Sequence, residues 1–349
     1  MKKKGLLIIC LMAAVSLLTT QVFAKNTKTI KLRAAQQAPE QSWPVKHVWA
    51  PWMKSIEEAT DGKVEFEVYH SNSLVSTPEM WRAVETGIAD QAAVPLTAYP
   101  GLTPLSDVVT LPFMPFKSSA QASGILWKLY EEFPSIRQEF EPHHVTHFVV
   151  GVCDQILGKK LFKTLDDFKG AKIRPTGGSL APKQLEKLGA TPIAMPGSEV
   201  YLNLQKGVID AVISQWDFTC GFRLYEGGQH FTYLPFNSFI IVSIMNKGKW
   251  NSMPPDIQQK INSKGGLSAS EWSGENEFDT LYPLAKELME KENIEMIEYE
   301  VPPEEYEKWT QVAGKPLWDA WLNKMKDNGH PEAQQILDRT LELIKTYEP

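Results

Sequence analysis

Hydrophobic residues in the first half of the chain occur in two kinds of segment, short apolar runs and stretches of helical spacing. The apolar residues between Val48 and Ile56, for example, recur on one face of a helix that Asp61-Gly62 would end. The pattern predicts strands at 30–35, 64–69 and 147–152, helices at 44–60 and about 118–131, and a proline-broken loop at 111–116. Alternating strands and helices predict an α/β fold.

The second half continues this alternation and then changes character. Strands are predicted at 171–174 and 239–245, and a helix follows Gly177-Gly178 with Ser179 as its N-cap. From Pro254 onward the chain is mostly charged and helical, and residues 266–293 are predicted to form one long helix. Because this region is too polar for a core of its own, we expect it to brace the rest of the molecule from outside.

One unit of the pattern occurs twice, at 79–90 and at 199–210. In both copies a Glu is followed by an apolar and then an aromatic residue, with a Gly eight places after the Glu and an Asp three places later. Gly87 and Gly207 fit the left-handed position that ends a helix. Apolar runs follow and predict buried parallel strands at 88–94 and 208–214. Two such units predict two α/β lobes with a ligand cleft at the carboxyl ends of their strands, although helix–glycine–strand units also recur in other α/β proteins.

Several polar and aromatic residues stand where these strands end. Arg174 closes one strand, and its planar guanidinium matches a carboxylate. Ser214, Gln215 and Trp216 end the strand of the second unit and offer neutral hydrogen bonds and a flat apolar wall. Asp154, after the strand 147–152, is placed to take a ligand hydroxyl or ammonium. The alternatives stay open at this point: a surface salt bridge for the arginine, core packing for the tryptophan and a turn for the aspartate.

The first 24 residues predict a cleaved signal peptide. Lys2 to Lys4 are positive, Gly5 to Leu18 is apolar, and Val22-Phe23-Ala24 offers a cleavage site before Lys25. A membrane anchor is the alternative, but the apolar run is shorter than the ~20 residues that span a bilayer. We therefore expect an exported, soluble mature protein.

The net charge and the absence of known catalytic motifs argue against several classes of function. The net charge is −6, and removal of the signal peptide takes away three lysines and no acids. This acidic balance argues against nucleic acid and anionic membrane surfaces as partners. The chain has no phosphate-binding glycine loop ending in Lys-Ser/Thr, no Gly-x-Ser-x-Gly and no His-Glu-x-x-His. We predict no enzyme activity and no cofactor.

Cysteines and histidines offer two further possibilities. Cys153 and Cys220 could pair in an oxidising compartment, but both stand in apolar or aromatic surroundings that favour buried free thiols. His143, His144 and His147 invite a metal site, but no nearby acid or Cys completes a ligand set, so no metal is predicted.

The residues together resemble one known family, the DctP-type solute-binding proteins of tripartite ATP-independent periplasmic (TRAP) transporters. The most telling segment is Leu165–Arg174, which resembles the family signature that ends in a substrate-binding arginine. The resemblance covers nearly all of residues 30–320. Its other parts are 60–69, 111–113, 188–192, 196–210 and 245–254.

This resemblance implies a two-lobed periplasmic binding protein, type II-like, with a hinge, a central cleft and a long C-terminal helical region bracing both lobes. The expected boundaries are 25–149 plus about 238–270 for lobe I, and 150–237 plus about 271–349 for lobe II. The implied protein captures an organic acid, with Arg174 on its carboxylate. It would deliver the acid to a small and a large integral membrane subunit. A monomer is expected, although the C-terminal helices could support a dimer.

Three positions depart from the common family pattern. Val152-Cys153-Asp154 stands where many members have a second arginine, Ser214 where many have Asn, and Gly197 where many have an aromatic residue. These departures predict a monocarboxylate with a polar or aromatic remainder. Trp43, Trp216 and Phe236 are predicted to supply apolar walls, and Gln37 a further contact at the end of the first strand.

Two other functions fit the same pattern. A receptor that presents its ligand to a membrane sensor kinase would look the same in sequence. A secreted two-lobed enzyme would need an acid/base pair within hydrogen-bond reach of a substrate, and the sequence shows no dedicated pair.

Overall fold

The computed structural model describes residues 29–349, apart from Gly177 and Ser179. The predicted signal peptide, its cleavage after Ala24 and the predicted N-cap at Ser179 lie outside the described residues. Within the described ranges, no helix is both long enough and apolar enough to cross a membrane.

The strands of the described chain form one mixed sheet. They are β1 (Ile30–Ala35), β2 (Val64–Tyr69), β3 (Gln91–Pro95), β4 (His143–Gly158), β5 (Lys172–Arg174), β6 (Thr191–Pro192), β7 (Ala211–Ser214), β8 (His230–Asn246) and β9 (Ile297–Glu300). Their order is β2-β1-β3-β8-β4-β7-β5-β6, and β9 pairs with β8.

Helices cover both faces of this sheet. The α-helices are α1 (Ala50–Ala59), α2 (Met80–Glu85), α3 (Ser119–Glu132), α4 (Pro134–Glu139), α5 (Ala181–Leu188), α6 (Gly197–Lys206), α7 (Trp216–Gly221), α8 (Lys247–Asn251), α9 (Pro255–Asn262), α10 (Gly266–Gly274), α11 (Leu281–Lys291), α12 (Pro303–Trp309), α13 (Lys315–Asp327) and α14 (Ala333–Thr346). Short 3₁₀ turns lie at Thr77–Glu79, Leu96–Ala98, Ser106–Thr110, Leu165–Phe168 and Leu224–Glu226, and π-helical turns at Val45–Trp49, Glu275–Asp279 and Thr310–Gly314.

Two long antiparallel strands, β4 and β8, join the lobes. They have 16 and 17 residues and pair along their whole length, with Val149 opposite Ile241 and Leu157 opposite Phe231. The sequence predicted only the first-lobe part of each strand, 147–152 and 239–245, which was too short. The missed residues lie where polar side chains interrupt the apolar run, so the hydrophobic pattern alone does not reveal the continuation.

Alternation along these strands places apolar side chains in separate clusters on the two faces of each lobe. In the first lobe, Val150 packs in a cluster with α3, and Val149 packs in another with α1. In the second lobe, Ile213 packs in a cluster with α5, and Val212 packs in another with α6. The molecule therefore has two lobes, each with a helix-covered sheet.

The C-terminal helices pack differently from the predicted division. Residues 271–349 were assigned to the second lobe, but Trp318, Trp321 and Leu337 lie in the first-lobe cluster that contains Phe148. Trp318 Nε1 also donates to the carbonyl of Pro112 at 2.8 Å. The physical reason is the apolar face of α13 and α14, which reaches back over the first lobe and is not visible from chain order.

The predicted long helix at 266–293 is interrupted at the junction of the lobes. Helix α10 lies against β4, where the Ser270 hydroxyl accepts the Phe148 N–H at 3.1 Å. Helix α11 contributes Leu281 and Met289 to a second-lobe cluster. Between them lies the π-helical turn Glu275–Asp279. Such turns are common at functional positions within helices, and this one lies between the lobes.

Candidate functional site

Two pairs of parallel strands, one pair from each lobe, end at the junction between the lobes. β3 pairs parallel with β1 and β7 pairs parallel with β5. Pro95 at the end of β3 lies opposite Ile241, and Ser214 at the end of β7 lies opposite Gln155, both close to the middle of the long strands. The carboxyl ends of strands from both lobes therefore face one another, which is the usual ligand position in open α/β sheets.

Arg174 ends β5 at this junction. Its neighbour Ile173 is fully buried, so strand alternation turns Arg174 to the opposite face. There the guanidinium carbon lies 4.9 Å from the centroid of the Phe218 ring, and the guanidinium donates to the Thr176 hydroxyl. Phe218 was not identified from the sequence, although its place in the helix that follows β7 was a usable signal.

The Arg174 guanidinium has no carboxylate within 4.0 Å among the described residues. The side chain is half-buried, and this burial lowers the pKa of Arg174 from its ordinary value. A partly desolvated arginine without a counter-ion is favourably placed to take an anion, because a carboxylate restores the charge-assisted hydrogen bonds lost from water.

A cavity of about 620 Å³ lies beside this junction and is called the hinge cavity below. Asp154, Gln215 and Trp216 line it, so the structure brings these three predicted site residues together. Arg174 is not among its lining residues. Cys153 lies between the cavity and Arg174. Its Sγ is 3.5 Å from Gln215 Oε1. The pKa of its thiol is raised first by burial and then by the charge of Asp154, and it is lowered by the charge of Arg174.

Asp154 lies inside β4, at a register shift between Cys153 and Gln155, and not after the end of a strand. The prediction of a strand end was wrong because β4 continues to Gly158. The shift re-aims the carboxyl group into the hinge cavity. Burial first, and then the charges of Asp279 and Asp217, raise the pKa of Asp154 to about 7.

Two further acids accompany Asp154 at the junction. Burial raises the pKa of Asp217 to about 6. Glu277, which is 3% exposed, has a pKa well above its ordinary value because of its burial and the charge of Asp217. No sequence pattern pointed to Glu277, because it lies in the polar π-helical turn far along the chain and only folding brings it here.

Two predicted site residues lie in the core instead of the cleft. Ser214 is fully buried, and its hydroxyl is hydrogen-bonded to Thr219 Oγ1 at 2.8 Å and to the Gln215 carbonyl at 3.1 Å. Phe236 is also fully buried and packs edge-on against Phe113 at 5.1 Å between centroids. Neither side chain forms an accessible wall, because the strands carrying them turn these positions inward.

Gln37 and Trp43 lie at the first-lobe side of the junction. Gln37 Oε1 accepts a hydrogen bond from Thr77 Oγ1 at 3.3 Å. Trp43 Nε1 donates to the carbonyl of Asn276 in the π-helical turn at 3.0 Å, and its ring packs against the second-lobe cluster that also contacts Phe218. Trp43 therefore contacts both this π-helical turn and the second lobe.

The histidines are used in packing. His144 stacks on Trp250 with 3.5 Å between centroids, and His147 lies 4.8 Å from Trp52. Burial lowers the pKa of His147 to about 3. Among residues 29–349 other than the two undescribed positions, no three His, Cys, Asp or Glu side chains are placed to hold a metal ion. Cys153 and Cys220 are free thiols.

Comparison with known proteins gives a consistent result. A TRAP periplasmic solute-binding protein from Desulfovibrio salexigens is 30% identical, with a TM-score of 0.83 over 91% of this chain and 97% of that chain. A TRAP solute-binding protein from Bordetella bronchiseptica with bound mandelate is 25% identical, with a TM-score of 0.77 over 91% of this chain and all of that chain. A monocarboxylate 2-oxoacid-binding periplasmic protein from Nostoc is 26% identical over 71% of each chain.

The family model for bacterial extracellular solute-binding proteins, family 7, matches residues 34–324. This range includes both copies of the repeated unit, Arg174 and the π-helical turn Glu275–Asp279. The chain belongs to the DctP family of bacterial extracellular solute-binding proteins.

Proposed function

We propose that this protein captures a small monocarboxylate with a polar or aromatic remainder in the periplasm and delivers it to the membrane subunits of a TRAP transporter. It acts as a monomer after cleavage of its signal peptide following Ala24. The lobes are 25–149 with about 238–270, and 150–237 with about 271–349, and helices α13 and α14 of this last range pack on the first lobe.

One observation carries the proposal: Arg174 is half-buried at the end of β5 and has no carboxylate partner among the described residues. A ligand carboxylate would supply that partner. The Phe218 ring beside the guanidinium offers an apolar surface to the part of the ligand next to its carboxylate.

The charges around the junction favour one carboxylate over two. Cys153 and Asp154 occupy the positions where a second arginine is common in the family. Asp217 adds a further acid. A second ligand carboxylate would meet these acids and be repelled. The Bordetella bronchiseptica and Nostoc relatives, which bind mandelate and 2-oxoacid monocarboxylates, support the same ligand class.

Closure of the lobes follows from the position of the site. β4, β8 and the helical segment with the π-helical turn Glu275–Asp279 connect the lobes. A ligand that contacts both lobes binds the closed arrangement better than the open one and so shifts the population toward it. The membrane subunits would then recognise the closed form.

The test is calorimetric titration of the mature protein with benzoate, mandelate, pyruvate and succinate. In Arg174→Ala we expect the affinity for the best monocarboxylate to fall roughly 100-fold, because a charge-assisted pair is lost. Arg174→Lys should fall less, since it keeps the charge without the bidentate fork. Lys183→Ala is the matched control, as it removes one exposed positive charge from the same lobe.

Two results would contradict the proposal. One is unchanged monocarboxylate affinity in Arg174→Ala. The other is tight binding of succinate without binding of any monocarboxylate.

A further inference from the structure

The hinge cavity carries charges opposite to those of the Arg174 site. Its charged lining residues among the described positions are Lys117, Asp154, Asp279 and Glu300. Lys117 is already paired with Glu348 near the C-terminus. The lining thus holds three acids and one neutralised lysine, which disfavours an anion and favours a cation.

Asp154 differs from the other lining acids in having a buried carboxyl oxygen, Oδ1, without a hydrogen bond in the described part of the chain. The charged groups that act on it, Asp279 and Asp217, are both acidic. Asp279 differs, because its carboxylate accepts the N–H groups of Ser119 and Ala120 at 2.8 and 2.9 Å. An entering hydrogen-bond donor would therefore find its acceptor at Asp154.

Aromatic rings surround the same space. Trp216, Tyr233 and Tyr282 all line the cavity, and their centroids lie 5.4 to 6.2 Å apart. Phe278 adds a further apolar wall. Aromatic faces attract cations, and this attraction strengthens where water is excluded. An ammonium on an apolar stem fits both the rings and the free carboxyl oxygen.

We propose that the hinge cavity binds an ammonium-bearing group, with Asp154 as its hydrogen-bond acceptor and Trp216, Tyr233 and Tyr282 around its stem. The ammonium has two possible sources, a separate organic amine or the amino end of the acid whose carboxylate binds Arg174. The inference is drawn from the cavity and its lining. If the ligand is a separate amine, the inference is independent of the Arg174 site. If the ammonium belongs to the acid bound by Arg174, the inference rests on the proposed function.

The test is calorimetric titration with benzylamine, benzyl alcohol and benzoate. Benzylamine should bind the wild type. Benzyl alcohol has the same stem without the charge, so its affinity should be lower by about tenfold or more. Asp154→Asn should lower the affinity for benzylamine by about tenfold or more and leave the melting temperature of the protein unchanged. Glu186→Gln, an exposed acid on α5, is the matched control and should leave benzylamine affinity unchanged.

Arg174→Ala separates this inference from the proposed function. Retained benzylamine binding in that variant, with benzoate binding lost, supports two independent subsites. Titration with a series of amino acids from glycine to 6-aminohexanoate identifies the source of the ammonium. If Asp154→Asn and Arg174→Ala both lower the affinity for an amino acid of one chain length, a single ligand spans the hinge cavity and the Arg174 site. If no chain length responds to both variants, the ammonium comes from a separate amine.

Three outcomes would overturn the inference. They are no benzylamine binding to the wild type, equal binding of benzyl alcohol, and unchanged benzylamine binding in Asp154→Asn. Asp154→Glu guards against a folding defect: it keeps the acid, so it should bind benzylamine better than Asp154→Asn does.

Discussion

The two copies of the repeated unit adopt the same local structure and differ in what they present at the junction. Asp90 accepts the Arg33 N–H at 2.9 Å, and Asp210 accepts the Lys172 N–H at 2.8 Å. The N–H groups of these aspartates return hydrogen bonds to the carbonyls of the same two residues, at 2.8 and 2.7 Å. Each aspartate therefore fixes the register of the neighbouring strand in its own lobe.

The difference lies two residues further along those strands. In β1 this position is Ala35, which is 1% exposed within the first-lobe core. In β5 it is Arg174, half-buried and beside Phe218. The repeated unit is thus a scaffold, and the proposed anion-binding chemistry depends on one residue that the unit positions but does not contain.

Exchanging these two residues should give the largest effects. We expect Ala35→Arg to lower the free energy of unfolding by about 3 kcal/mol or more, because it buries a cation among apolar side chains. Arg174→Ala should leave that free energy unchanged or slightly raised, since it removes a desolvated charge, and should lose carboxylate binding. Urea unfolding followed by circular dichroism measures the stabilities. Equal destabilisation by both changes would contradict the assigned difference.

Removal of the two aspartates should give the next largest effects. Asp90 is 6% exposed and also holds the Arg33 side chain, with Nε–Oδ2 at 3.1 Å. We expect Asp90→Ala to cost about 2–3 kcal/mol and Asp210→Ala about 1 kcal/mol, because only the first loses charge-assisted hydrogen bonds between side chains. Urea midpoints measure the difference, with the exposed Glu65→Ala as control. Equal costs would show that the Arg33 pair adds nothing.

Alanine at the two helix-ending glycines should cost the same in both lobes. Gly87 and Gly207 have φ of +76° and +73°, and an added Cβ would have no neighbour closer than 3.7 Å at either place. The cost is therefore backbone strain alone, about 1 kcal/mol each. Gly221→Ala is the control, because it has open space and no positive φ. Thermal melting of the three variants checks this, and a clear difference between Gly87→Ala and Gly207→Ala would break the equivalence.

The smallest effects are expected one residue later. Ile88 and Val208 are 50% and 47% exposed, although the hydrophobic pattern placed them inside strands. Serine at either position should change the free energy of unfolding by about 0.5 kcal/mol or less. Ile209→Ser is the contrasting variant and should cost several times more, because Ile209 is fully buried. Urea midpoints measure all three, and a large cost at position 88 or 208 would contradict the exposure.

The predicted strands after the two glycines began three residues too early for this reason. β3 begins at Gln91 and β7 at Ala211, because residues 88–90 and 208–210 first turn the chain. Both copies show the same error. Hydrophobicity marks a residue as apolar but does not show that a turn leaves it in solvent.

Sequence alone determined the local units of this protein. Hydrophobic spacing and left-handed glycines act over a few neighbouring residues, so they predicted the helix–glycine–strand units, the α/β class and the place of Arg174 at a strand end. The signature around Arg174 added the family. The predicted ends were least accurate where β4 and β8 continue from one lobe into the other.

Tertiary structure alone decided what surrounds these residues. It placed Asp154 at a register shift inside β4, turned Ser214 and Phe236 into the core, and brought Glu277 to the junction. It also packed α13 and α14 on the first lobe. Such arrangements depend on contacts between residues far apart in the chain. The free energy of burying or pairing a side chain is set by those distant neighbours, which local spacing does not encode.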